Sequence, residues 1–138
     1  MQKLPPINCA ELMEAVPILE LLEADKYSCE SLGEALNRQL TLSSTAGSDL
    51  RGREPNQWWL VKSELFALIC TRAYAHSELS HTLQNNQNLS TCELLSLLSH
   101  EIANRAEVNV DSITPLVATA LYQIGKEGPE AWCSSQTR

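Results

Sequence analysis

The stretch LSTCELLSLLSHEIANRAE, residues 89–107, decides the fold class. Ser90 stands three residues before Glu93, the spacing at which hydroxyl and carboxylate each satisfy an orphan backbone N–H at a helix start. Leu89 and Leu94 flank that box as a hydrophobic staple. Leu94, Leu95, Leu98, Ile102 and Ala106 then recur at the 3.6-residue period of one helix face. The pattern predicts an amphipathic helix from Ser90 to near Glu107.

The same signals recur on either side. Asn8 with Glu11, and Ile7 with Leu12, predict a first helix from Cys9. Pro17 lacks the N–H that would bond back to Met13, so a break is expected near Val16. Ser28 caps a second helix, with Tyr27 and Leu32 as its staple and Leu32, Ala35, Leu36 and Leu40 as its apolar stripe. From Thr41 to Asn56 the chain is rich in Ser, Gly and Pro without apolar periodicity, which predicts a mobile loop over 41–56. Asn56 reads as the cap of a third helix. Its residues from Trp58 to Tyr74 are apolar over most of the circumference, so it is expected to be the most buried element and to end near Leu83 or Gln84. Thr114 and Pro115 read as cap and first residue of a fifth helix with the stripe Val117, Ala120, Leu121 and Ile124. Gly125, Gly128 and Pro129 close that helix, Trp132 folds back to pack, and residues 134–138 fray. With no convincing strand alternation and no repeat, the expectation is one all-α domain, a compact bundle or orthogonal array of about five helices.

Composition narrows the function classes. A chain of 138 residues with 43% hydrophobic content can bury one core. Nothing approaches the ~18 uninterrupted apolar residues of a membrane span, and the N-terminus lacks the pattern of an export signal. The five cysteines form no Cys-x-x-Cys pair and, being odd in number, cannot all pair within one chain, which fits a reducing cytoplasm; Cys70 and Cys92 lie within apolar helical patterns and are expected as free thiols acting as small hydrophobes. A formal charge of -7 repels phosphate backbones, and Arg51 with Arg53 is the only basic cluster; nucleic acid is not an expected partner. The acid concentrates near the N-terminus, where Glu11, Glu14, Glu20 and Glu23 mark an acidic surface.

Candidate chemistry is sparse. Glu78 and His81 have the Glu-x-x-His spacing that aims a carboxylate and an imidazole at one metal from one helix face. The second such motif of a di-metal bundle is missing, and His76 and His81 are five apart rather than four. No nucleophile elbow and no phosphate-binding glycine loop occurs. No cofactor is expected. Trp58 and Trp59 are adjacent, so on a helix they point about 100° apart and at least one reaches an edge or the surface. The pattern therefore points to a helical protein-interaction or regulatory module that uses Trp58 and Trp59 toward a protein partner or a second copy in a homodimer. Two alternatives stand beside it. One is a metal-dependent helical-bundle enzyme using Glu78 and His81, with Glu64 or His100 supplied by neighbouring turns. The other is an inhibitor or immunity-type protein that meets a basic partner through its acidic N-terminal face.

Overall fold

A computed structural model describes residues 4–24, 26–44, 57–71, 77–86 and 88–136, with backbone alone for 39–44. Among the described residues the elements are α1 (Cys9–Ala15), a 3-10 turn (Pro17–Leu19), α2 (Glu20–Glu23), α3 (Cys29–Ser44), α4 (Gln57–Cys70), α5 (Glu78–Asn85), α6 (Thr91–Ala106), α7 (Val110–Glu127) and α8 (Pro129–Gln136). The class is all-α, with more and shorter helices than the expected five.

The capping signals place several boundaries. Ser90 Oγ accepts the Glu93 N–H at 3.1 Å while Glu93 Oε1 accepts the Ser90 N–H at 3.0 Å, which is the complete capping box. Asn8 Oδ1 accepts the Glu11 N–H at 3.2 Å, but the reciprocal half of that pair goes elsewhere. The Asn8 N–H donates to Thr91 Oγ1 at 2.7 Å, and Glu11 Oε1 accepts the Cys92 N–H at 2.9 Å. The starts of α1 and α6 thus satisfy each other across 83 residues of sequence. Pro17 ends α1 as expected, with Val16 as C-cap before the 3-10 turn. Ser28 Oγ accepts the Ser31 N–H at 3.0 Å; Leu32 is buried, whereas Tyr27, its proposed staple partner, is exposed.

Four helix boundaries differ from expectation. The segment from Trp58 to Gln84 is not one helix: α4 stops at Cys70, and α5 starts afresh because Ser77 Oγ accepts the Ser80 N–H at 3.1 Å. The last long helix starts at Asn109, whose Oδ1 accepts the Asp111 N–H at 2.8 Å, so Pro115 lies inside α7 and leaves the Asp111 carbonyl without its usual N–H. Helix α3 continues through Ser44, so the first four residues of the expected 41–56 loop are helical; residues 45–56, Arg51, Arg53 and the Asn56 cap included, lie outside the described residues. At the other end α8 runs to Gln136, because Pro129 starts a new helix where a frayed tail was expected from residue 134.

The most buried element is α7 rather than α4. It packs against α1, α3, α4, α6 and α8, and every residue from Leu116 to Tyr122 is buried. Ala118, Thr119 and Ala120 are small enough to let neighbours approach on all sides. Trp132 of α8 is 0% exposed and its Nε1–H donates to Gln123 Oε1 at 3.3 Å. Beside it, Cys133 is bonded to Cys70 at the end of α4, with Cα atoms 5.8 Å apart. That disulfide overturns the expectation of Cys70 as a free thiol: Cys9, Cys29 and Cys92 are free, while Cys70 and Cys133 are bonded. It ties the end of α4 to α8 across 63 residues of chain.

Candidate functional site

Helix α4 is apolar on two faces. Its inner face presents Trp58, Val61, Leu65, Leu68 and Ile69 to the core. Its start is fixed by α3: Asn37 Oδ1 accepts the Gln57 N–H at 2.7 Å and the Trp58 N–H at 3.3 Å, capping α4 from another helix. Trp58 is 2% exposed and lies against Gly33 of α3, where a Cβ would come within 2.2–2.7 Å of the indole ring. Only a glycine lets the two helices meet over a tryptophan there. The indole Nε1–H donates to Glu30 Oε1 at 3.1 Å, which gives the buried ring its polar partner.

One residue further, Trp59 is 62% exposed. It stands at a cleft of about 490 Å³ whose walls come from three helices. From α3 comes Glu30, from α4 come Trp59, Lys62, Ser63 and Phe66, and from α8 come Ser135 and Gln136. Phe66 is half-buried and packs against the core, so it forms the apolar base of this face. Lys62 Nζ donates to Glu30 Oε1 at 2.5 Å and lies 5.1 Å from the centroid of the Trp58 ring. Glu30 therefore serves both tryptophans: it satisfies the buried one and helps line the cleft of the exposed one. The Cys70–Cys133 bridge joins the end of α4 to α8 two residues before Ser135, so a covalent bond holds two of the three walls together.

The other candidate residues are dispersed. Glu78 and His81 are both exposed on α5. Among the described residues no three His, Cys, Asp or Glu side chains converge as a metal site. Glu64 faces a shallow depression with Leu79, Glu101 and Arg105, and exposed His100 is turned back by a 2.8 Å contact from its Nδ1 to the Ser96 carbonyl. His76 lies outside the described residues.

Of the acidic set, Glu14, Glu20 and Glu23 are exposed; Glu11 caps α6, and Glu23 also accepts a hydrogen bond from the Tyr122 hydroxyl. Lys126 Nζ lies 3.7 Å from the same Glu23 carboxylate. The Tyr122 hydroxyl, and secondarily Lys126, hold the Glu23 carboxyl below the usual carboxylate range. Burial, followed by the hydrogen bond to Glu23, pushes the Tyr122 hydroxyl well up. Glu11 and Glu23 thus also fasten α1 to α6 and α2 to α7.

Sequence reasoning singled out the tryptophan pair but missed Phe66, Lys62 and Glu30, the bridge, and the contribution of α8. A signal existed for the first two: Trp59, Lys62 and Phe66 are spaced by three and four, a second stripe on a helix whose first stripe was already apolar. No protein-family model, curated protein or solved structure matches the chain.

Proposed function

We propose that this chain is a protein-interaction module, and that its outer α4 face takes a second copy of the same chain. The observation that supports this is the exposure of Trp59 at 62% beside a cleft large enough to receive an aromatic side chain. Knob and hollow lie on one face, as a two-fold interface requires, because each copy must present both halves of the contact. Lys62 and Glu30 are paired with each other within one copy, so at this face their charges cancel. Within α4 the formal charges are Lys62 and Glu64, which cancel, whereas the whole chain carries -7. This face is one on which two acidic molecules can approach. Tryptophan is the residue type most enriched among interface hot spots, and aromatic anchors in well-packed pockets carry most of the affinity.

No helix among the described residues is long and apolar enough to cross a membrane. A cytoplasmic setting belongs to the proposal too, but the unpaired thiols that supported it are reduced to three by the Cys70–Cys133 bridge. Cytosolic disulfides outside hyperthermophiles are usually transient.

Sedimentation equilibrium at low and high salt tests the self-association. Two copies of a chain at -7 repel each other over about 10 Å at 0.1 M salt, so the dimer tightens as salt rises. A monomer at every salt concentration, or a dimer that dissociates as salt rises, defeats the proposal.

A further inference from the structure

The geometry points to a redox-controlled cleft: reduction of Cys70–Cys133 frees the last turn of α8 from α4 and removes the wall that Ser135 and Gln136 supply. The inference deepens the interaction reading, on which its functional meaning rests, but its structural half stands on the fold alone.

Three observations carry it. First, α8 has only eight residues, well below the roughly 12–15 at which an isolated helix becomes even marginally stable, so its order is borrowed from what it touches. Second, α8 packs on both α7 and α4: Trp132 is fully buried with its N–H on Gln123 of α7, and Cys133 is bonded to Cys70 of α4; beyond that bond Ser134 and Ser135 are exposed and Gln136 half-buried. The bridge is the covalent hold on the turn that reaches the cleft. Third, α8 enters the core at one end only: Trp132 joins the buried cluster that Leu94, Leu98 and Ile102 of α6 form with Ile113, Leu116, Val117 and Leu121 of α7, while the last turn of α8 adds no fully buried residue to it. Both half-cystines are half-buried at the edge of the core, and the three remaining cysteines are free thiols rather than parts of a saturated disulfide framework.

The step balances with a dithiol as reductant. A thiolate of the dithiol attacks one sulfur, the Cys70–Cys133 bond breaks, and the departing sulfur leaves as a thiolate that takes up a proton. The second thiolate of the reductant then attacks the mixed disulfide, releasing the other cysteine, which is protonated in turn. The protein gains two electrons and two protons, and the reductant is oxidised to its own disulfide.

The test is native-state amide exchange, read by mass spectrometry on the full chain. Three samples are compared: oxidised protein, protein reduced with dithiothreitol, and the double variant Cys70→Ser/Cys133→Ser. A denaturing thiol titration precedes it, with three thiols expected before reduction and five after. In both open forms the α8 amides after Cys133 are expected to lose ~10-fold or more protection beyond any loss in α6 and α7. Unchanged α8 protection overturns the inference. So does an equal loss throughout the chain, which makes the bridge a global staple, or a titration finding five thiols at the outset. Sedimentation of the same samples separates the two proposals. If α8 loosens while the protein is monomeric in both redox states, the interaction reading falls and the redox device stands; if α8 loosens and a dimer persists unchanged, the cleft wall is not what the dimer uses and the regulatory inference fails.

Discussion

On the inner face of α4, Trp58 is enclosed by α3, has its N–H bonded to Glu30 and rests where Gly33 leaves room for it. On the outer face, one residue later, Trp59 stands 62% exposed at the cleft shared with α8. Two identical side chains, about 100° apart around one helix, are separated by what the neighbouring helices bring to them. Trp58 meets a glycine, a carboxylate and a capping asparagine, all from α3, so three local choices agree on burying it. Trp59 meets the polar end of α8, which covers little apolar surface. A residue's role here follows from the partner helix rather than from its own identity.

The largest expected effect breaks the inner half of that contrast. Trp58→Ala removes a buried ring and orphans part of Glu30, and urea denaturation is expected to register a loss of about 3–5 kcal/mol. A loss below about 1 kcal/mol would mean that the inner face is not core. Gly33→Ala tests the same contact from the opposite helix. The added methyl would overlap the Trp58 ring, and the expected cost of about 1–3 kcal/mol is only partly offset by the better helix propensity of alanine. A stabilised Gly33→Ala protein would show that α3 and α4 do not meet as closely as described.

Lys62 sits between the two faces, on Glu30 and beside the Trp58 ring. Lys62→Ala is expected to cost about 1 kcal/mol or less in thermal melts, from a partly exposed ion pair and a cation–π contact together. An effect as large as that of Trp58→Ala would place Lys62 in the core and redraw the boundary.

The smallest effect lies away from α4, in the Glu23–Tyr122–Lys126 group. Because the folded carboxyl is held below the usual glutamate value of 4.5, its contribution is present above that value and is lost as pH falls through the lowered one. Glu23→Gln is therefore expected to flatten the acid limb of a stability-against-pH curve below about pH 4 while leaving the α4 contrast untouched. If the acid limb keeps its slope, Glu23 is not held down by Tyr122.

Much of the helical grammar was legible because it is local. Asn8, Ser28 and Ser90 cap helices three residues or fewer away, and Pro17 breaks α1 by its own covalent structure. The start of α7 also carries a local signal, since Val108 and Ile113 flank Asn109 just as Leu89 and Leu94 flank Ser90, and it competes with the cap-like pair Thr114–Pro115. Asn37 capping α4, Glu11 capping α6 and Cys70 pairing with Cys133 were not legible, since each joins residues 20, 81 and 63 positions apart and depends on the assembled packing. The tryptophan pair fell between these cases. Helical geometry required that the two diverge, but only the position of α3 decided which one is buried.

Sedimentation velocity on wild type and Trp59→Ala, run beside thermal melts of both, tests the contrast most directly. The wild type is expected to sediment as a dimer. Trp59→Ala is expected to sediment as a monomer, with self-association weakened by ~2 kcal/mol or more while monomer stability changes by no more than about 0.5 kcal/mol. A Trp59→Ala protein that unfolds like Trp58→Ala, or that sediments indistinguishably from wild type, would contradict the assignment of the outer α4 face to binding.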